Sequence, residues 1–111
     1  MSNTQTIEEK IRSQIGTNPI VLYMKGTPQI PQCGFSAQTV QTLAGYGRKF
    51  AFVNVLEHPE IRATLPGISN WPTFPQLFIN GELVGGCDIV GEMHTSGELK
   101  TMLDAVPADQ A

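Results

Sequence analysis

An Asn-Gly pair in the C-terminal third of the chain constrains the fold more than any other short segment. Asn80-Gly81 separates two short apolar runs, residues 76–79 and 82–84. Asn and Gly both tolerate the positive φ angles of a type I′ turn, which joins two adjacent antiparallel strands. The sequence therefore predicts a β-hairpin here.

A different pattern upstream predicts a parallel βαβ unit. Residues 20–24 form a short, β-rich apolar run bounded by turn residues, as in a buried central strand, and residues 50–55 form a second strand. Between them, apolar residues recur at helical spacing and predict a helix from Cys33 to about Ala44. Residues 26–32 contain two prolines and are predicted to form an exposed loop.

Two more helices precede the hairpin. Residues 6–9 match a capping box and predict a first amphipathic helix that ends at residues 16–19. Residues 58–65 predict a short helix that Pro66-Gly67 ends. Both helices would pack against the sheet through their apolar stripes.

A last helical region completes the predicted order. Asp88 is expected to cap it, Ser96-Gly97 to break or bend it, and Ala105 to lie near its end. The order is then helix-β-helix-β-helix-β-β-helix. It predicts an α/β fold, with a four-stranded mixed sheet flanked by helices on both faces.

Length and composition indicate one soluble domain. The 111 residues are 41% apolar and 15% charged, which is ordinary for a globular protein. We expect a single domain over residues 1–111, with a core at about 7–105 and a frayed tail at 107–111. A net charge of −3 and scattered basic residues argue against nucleic acid or an anionic membrane as partners. No stretch approaches the ~18 apolar residues of a membrane span.

The compartment is predicted from the N-terminus and from cysteine usage. Residues 1–9 carry acids and lack the apolar region of a secretory signal. Two cysteines 54 positions apart could form a structural disulfide in a secreted protein, but nothing in the sequence suggests export. A reducing cytoplasm is therefore the expected location, where an unpaired cysteine is more often reactive.

Cys33-Gly34-Phe35-Ser36 looks like a redox motif that lacks half of its chemistry. A dithiol oxidoreductase spaces two cysteines as Cys-x-x-Cys, so that the second thiol resolves a mixed disulfide. Ser36 stands in that second position, so a stable product needs a thiol from elsewhere. The segment points away from a dithiol reductase and towards a thiol that holds a ligand.

The position of Cys33 favours a reactive sulfur. At a helix start, unpaired amides and the helix dipole stabilise the thiolate, and Lys25 would add a cation at the same edge of the sheet. The alternative is that Cys33 is a small buried apolar side chain, as many free cysteines are.

Three other features are candidates for ligand binding. A cis bond in Thr73-Phe74-Pro75 would let the backbone of Phe74 pair with an extended peptide, although most such bonds are trans. Gly85-Gly86-Cys87-Asp88 would bind a carboxylate with its amides and an ammonium group with Asp88, or Asp88 would simply cap the helix. Lys25 and Arg62 are candidate partners for a second carboxylate, or solvated surface charges. The Cys87 thiol is incidental or pairs reversibly with Cys33.

Considered together, these motifs resemble the monothiol (CGFS-type) glutaredoxins, and the resemblance extends from about Ile7 to Ala105. Four segments carry it in order and spacing: Lys25, Cys33-Gly34-Phe35-Ser36, Trp71-Pro72-Thr73-Phe74-Pro75 and Gly85-Gly86-Cys87-Asp88. The resemblance implies a thioredoxin-like fold, a cis Pro75, and glutathione with its sulfur beside Cys33. It also implies the residues that bind glutathione: Lys25, Arg62, Phe74, Cys87 and Asp88.

Members of that family carry a [2Fe-2S] cluster between two protomers and commonly partner BolA-like proteins. A simple ligand count agrees, because such a cluster needs four thiolates. Two Cys33 thiolates and two glutathione thiolates from a symmetric pair complete the set, and Cys87 as a ligand is the competing arrangement. We therefore expect a protein of cluster assembly, storage and transfer to apo-proteins, a homodimer when loaded and a monomer when apo.

Two other functions stay open. The first is a glutathione-dependent thiol transferase, at most weakly active, in which Cys33 attacks glutathionylated proteins and free glutathione resolves the product. The second is a sensing module whose Cys33-Cys87 pair reports the redox state.

Overall fold

The computed structural model describes residues 3–107. Within this range, helices and strands follow each other in this order: α1 Asn3–Thr17, β1 Ile20–Met24, α2 Gly34–Ala44, β2 Ala51–Asn54, α3 Pro59–Ser69, β3 Gln76–Ile79, β4 Glu82–Gly85, α4 Cys87–Ser96 and α5 Glu98–Asp104. The predicted element order is confirmed, and the expected break in the last helix lies at Gly97, between α4 and α5. The predicted frayed tail lies outside the described residues from 108 onward.

The sheet has the predicted mixed topology. Its strand order is β2-β1-β3-β4, with β1 parallel to β2 and antiparallel to β3. Strands β3 and β4 form the predicted hairpin, and Asn80 and Gly81 have φ angles of 52° and 81°. These positive angles are those of a type I′ turn.

Helices cover both faces of the sheet, as predicted. Because side chains alternate along a strand, β1 contributes Val21 and Tyr23 to one apolar cluster, which includes residues of α1 and α3. It contributes Leu22 and Met24 to the other, which includes residues of α2, α4 and α5. All five residues of β1 are buried, so this strand is the centre of the core.

This topology brings distant segments to one edge of the sheet. Since β1 and β3 are antiparallel, with Tyr23 opposite Gln76, the residues that follow β1 lie beside those that precede β3. Helix α2 starts from the same edge after the loop at residues 26–32. A bridge between Gly26 and Pro31 closes that loop.

Two predicted helix boundaries are wrong. Helix α1 begins at Asn3, so Thr6 lies inside the helix and not at its cap; no Gly or Pro stands between them to stop the helix. Helix α3 continues through Pro66 to Ser69, because Leu65 is buried and Ile68 packs against the same cluster. Burial of that apolar stripe outweighs the one helical hydrogen bond that proline forfeits.

The ends of α3 and α4 use residues other than those expected. Helix α3 terminates at Asn70, which has a left-handed conformation with φ of 56°. Helix α4 is capped by Gly86, and Asp88 lies in the first turn without a capping hydrogen bond. The predicted capping role of Asp88 is therefore wrong, and its carboxylate stays available at the helix start.

The C-terminal end of α5 is fixed by a side chain from the loop before β2. The Arg48 guanidinium donates hydrogen bonds to the carbonyl oxygens of Leu103, Val106 and Pro107. Carbonyls at the end of a helix lack a full set of helical partners, and Leu103 O accepts a backbone hydrogen bond of 3.0 Å from the Val106 N–H besides the one from Arg48. Among the described residues, no helix is both long and apolar enough to cross a membrane.

Candidate functional site

A cavity of about 540 Å³ lies at the edge of the sheet where β1 ends and β3 begins. It is bounded by the start of α2, one side of α3, residues 71–75 and the start of α4. All the residues predicted to bind a ligand line it: Lys25, Cys33, Arg62, Phe74, Cys87 and Asp88. The fold therefore gathers into one site side chains that are up to 63 positions apart in the sequence.

Cys33 is the N-cap of α2, as its position in the sequence predicted. Its backbone is extended, with φ of −151° and ψ of 136°, and its side chain is half-buried. It is thus partly open to solvent at the cavity wall, and the alternative of a buried apolar cysteine is wrong.

The surroundings of Cys33 favour its charged form. The pKa of the thiol is lowered from its ordinary value, first by the backbone amide of Ser36, although desolvation opposes the shift. The amide of Phe35, the charge of Lys25 and the Ser36 hydroxyl also lower it. No helix amide makes a complete capping hydrogen bond to the sulfur. The largest part of the effect therefore comes from backbone N–H dipoles that are oriented towards the sulfur.

Ser36, which occupies the position of the missing second thiol, also has a structural role. It is fully buried, and its Oγ accepts a hydrogen bond of 3.1 Å from the backbone N–H of Lys25. This bond ties the first turn of α2 to the end of β1. It also keeps Lys25 and Cys33 on the same side of the cavity.

The segment Trp71-Pro72-Thr73-Phe74-Pro75 forms the wall on the β3 side, and all five residues line the cavity. The Phe74-Pro75 bond is cis, as the resemblance implied. The start of α4 forms the neighbouring wall and approaches this segment closely. A Cβ atom on Gly86 would lie 3.2 Å from both Pro75 O and Trp71 Nε1.

The charged side chains of the cavity form no ion pair with one another or with other carboxylates and cations in the described part of the chain. Among residues 3–107, the ion pairs within 4.0 Å do not include Lys25, Arg62 or Asp88. Two cations and one carboxylate thus face one space, which suits a ligand that carries two carboxylates and an ammonium group.

Cys87, the first residue of α4, is half-buried, and its Sγ donates a hydrogen bond of 3.5 Å to Gln38 Oε1. Both cysteines are free thiols in this structure. The thiol of Cys87 therefore acts as a donor to its neighbour, whereas the neighbours of Cys33 act on its sulfur as donors.

Some cavity residues were not predicted. Pro66 lies one turn after Arg62 on α3, so the helical spacing alone could have identified it. Ile89 follows Asp88 on α4 and had no such signal. Phe35 belongs to the Cys33–Ser36 motif, but the sequence predicted no role for it. Its side chain is 61% exposed at the rim of the cavity.

The sheet topology, the cis proline and the cysteine at the start of α2 define a protein of the thioredoxin-like fold. The family model described as Glutaredoxin matches residues 20–84, more than half of the chain, and the chain belongs to the glutaredoxin family.

Within this family the chain is similar to glutaredoxin 4 of Escherichia coli K12. The two are 59% identical over 103 residues, which cover 93% of this chain and 90% of the relative. The structure of reduced apo GrxS14 from poplar matches with a TM-score of 0.81 and 43% identity, over 95% and 96% of the chains. A buckwheat glutaredoxin–glutathione complex matches with a TM-score of 0.82 and 26% identity, over 92% and 91%.

Proposed function

We propose that this protein is a monothiol glutaredoxin that binds glutathione and shares a [2Fe-2S] cluster between two protomers, for cluster assembly, storage and transfer. The observation that carries the proposal is the half-exposed Cys33, with its lowered pKa, beside Lys25 and Arg62, which form no ion pair within residues 3–107. One nucleophilic sulfur faces a site built to hold a charged ligand. That ligand can supply the second sulfur.

Glutathione fits the charges of the cavity. It is a tripeptide with two carboxylates, one ammonium group and one thiol. Lys25 and Arg62 would pair with a carboxylate, and the first turn of α4 would bind the other through its amides. Asp88 would hold the ammonium group. The backbone of Phe74 would pair with the extended tripeptide, which leaves the glutathione sulfur near Cys33.

A second source of ligands is needed for a metal cluster at this site. Within the described part, no three His, Cys, Asp or Glu side chains are grouped to hold a metal ion. A [2Fe-2S] cluster takes four thiolates. Two Cys33 thiolates and two glutathione thiolates meet that count in a symmetric dimer, and half of the ligands are then exchangeable.

The rim of the site is suited to a second protomer. Phe35 is 61% exposed next to Cys33, and Ile30 in the preceding loop is 67% exposed. Large apolar side chains exposed near one reactive sulfur favour association with another protein surface. A BolA-like protein in place of one protomer and apo-proteins that receive the cluster would use the same face, and the cytoplasm is the proposed compartment.

Anaerobic reconstitution with ferrous iron, sulfide and reduced glutathione tests the proposal. The wild-type chain should become a coloured dimer that holds two glutathione molecules in native mass spectrometry. Cys33→Ser should stay a colourless monomer, whereas Cys87→Ser should still load. A wild-type chain that remains colourless and monomeric would contradict the proposal.

A glutathione-dependent thiol transferase is the second candidate, and the lowered pKa of Cys33 favours it. The Cys33 thiolate would attack the glutathione sulfur of a mixed disulfide and expel the protein thiolate. A second glutathione thiolate would then attack this sulfur, which releases glutathione disulfide and restores Cys33. Robust turnover with a glutathionylated substrate would favour this candidate. Little turnover together with stable cluster binding would favour the carrier.

A further inference from the structure

Gln76 is a fully buried polar side chain directly behind the cavity wall. It is the first residue of β3 and has no exposed surface. It is therefore not among the residues that line the cavity. A buried amide needs hydrogen-bond partners to offset its loss of water. Its partners therefore indicate what it does.

Both donors of the Gln76 amide are used on one segment. Nε2 donates to the carbonyl oxygens of Trp71, at 2.9 Å, and Thr73, at 3.1 Å. The reversed amide would direct Oε1 at these two carbonyls, so the chemistry fixes the orientation. Oε1 itself is buried and, in the described part of the chain, has no partner.

The segment that Gln76 holds has few other hydrogen bonds. Two of residues 71–75 are prolines, which have no N–H to donate. In the range 3–107, none of the backbone–backbone hydrogen bonds of turns and loops involves these five residues. The two bonds from Gln76 are thus the hydrogen bonds that hold the carbonyls of the wall in place.

We propose that Gln76 is a positioning residue for glutathione, because its amide fixes the 71–75 wall against which the tripeptide binds. The proposal rests on the glutathione site proposed above. An unpaired buried acceptor opposes folding, so the benefit of this amide lies in the wall that it orders. Small displacements of groups that hold a ligand are costly to its binding.

Two substitutions separate positioning from stability. Gln76→Met keeps the volume and removes both donors and the unpaired acceptor. We expect it to unfold at a similar denaturant concentration, because losing two hydrogen bonds and losing an unpaired buried acceptor act in opposite directions. It should bind reduced glutathione about tenfold more weakly, as loss of supporting residues commonly does at metal sites. Gln76→Glu should bind weakly at pH 7 and partly recover towards pH 5, since a neutral carboxyl group has one O–H donor.

The measurement uses the whole chain and a reporter inside the wall. Trp71 is the only tryptophan, so its fluorescence follows the site during titration with reduced glutathione under anaerobic conditions. Calorimetry gives the affinity independently. Gln41→Met, on an exposed position of α2, is the matched control and should bind like the wild type. The wild-type pH profile corrects for the titration of glutathione itself.

Either of two results would overturn the proposal: Gln76→Met binds glutathione within twofold of the wild type, or its affinity falls only in proportion to its unfolded fraction. If the wild type fails to bind glutathione, the proposed function is wrong, but acrylamide quenching of Trp71 in the free protein still tests Gln76. Stronger quenching in Gln76→Met supports positioning of the wall, and unchanged quenching refutes it.

Discussion

Cys33 and Cys87 stand at the starts of two helices and line the same cavity, yet their surroundings differ. Cys33 is the N-cap of α2. Amides of the first turn act on its sulfur as hydrogen-bond donors, and Lys25 acts on it through its positive charge. Cys87 is one position further into its helix, and its sulfur is itself the donor, to Gln38. The two helix starts therefore present their sulfurs to different kinds of partner. We expect the position within the first turn and the polarity of the neighbours to set the reactivity of each thiol.

Thiol labelling should show the largest difference between the two helix starts. We expect iodoacetamide to modify Cys33 about tenfold faster than Cys87 at pH 7, because the thiolate is the nucleophile. Mass mapping of the labelled peptides measures both rates. Cys33→Ser should remove the fast phase and Cys87→Ser should leave it. Equal rates at both positions would contradict the comparison.

The glycines at the two helix starts offer the next test. A Cβ on Gly86 would lie 3.2 Å from Pro75 O and Trp71 Nε1, whereas one on Gly34 meets nothing within 4 Å. Gly86→Ala should lower the free energy of unfolding by about 1 kcal/mol and weaken glutathione binding. Gly34→Ala is the control, and it should change stability by less than about 0.5 kcal/mol. Denaturant unfolding of the two variants measures this difference. Equal stabilities would refute the close approach of Gly86 to residues 71–75.

Lys25 accounts for a smaller part of the difference. Its charge lowers the Cys33 pKa, but less than the backbone amides of Ser36 and Phe35 do. Lys25→Met should raise that pKa towards its ordinary value and slow labelling of Cys33 by roughly twofold to threefold at pH 7. Lys25→Arg keeps the charge and should label at the wild-type rate. A Met variant that labels at the wild-type rate as well would exclude a role for this charge.

The pH dependence of stability should show the smallest effect. Because folding lowers the Cys33 pKa below its ordinary 9.0, the thiolate contributes stability above pH 9, and this is lost as the pH falls through the folded-state pKa. Wild type should therefore gain stability relative to Cys33→Ser between pH 6 and pH 9. Solvent screening keeps the gain below about 1 kcal/mol. If the difference in free energy of unfolding between the two proteins stays constant across this range, folding does not shift the pKa of the Cys33 thiol.

The sequence predicted the elements whose determinants are local. Strands β1 and β3 have the predicted bounds, and Asn80-Gly81 forms the expected turn. The placement of Cys33 at a helix start followed from the proline loop before it and the apolar spacing after it. Each of these signals is contained in a few neighbouring residues.

Other features of the fold and the site did not follow from local signals. Pro66 ends a helix in isolation, but the packing of Ile68 extends α3 beyond it. The proposed role of Gln76 had no local signal, because it depends on the carbonyl oxygens of Trp71 and Thr73, which only the folded chain places around the amide. Asp88 matched a capping residue by type, yet Gly86 takes that position in the structure.

The hydrogen bonds from Arg48 to the carbonyls of Leu103, Val106 and Pro107 limit where the C-terminal end can be fused or shortened. An affinity handle fused directly after Val106 would compete for these acceptors and leave a half-buried guanidinium without them. A handle at this end therefore needs a spacer after Pro107, and a truncation before Val106 should lower the melting temperature although it is remote from Cys33.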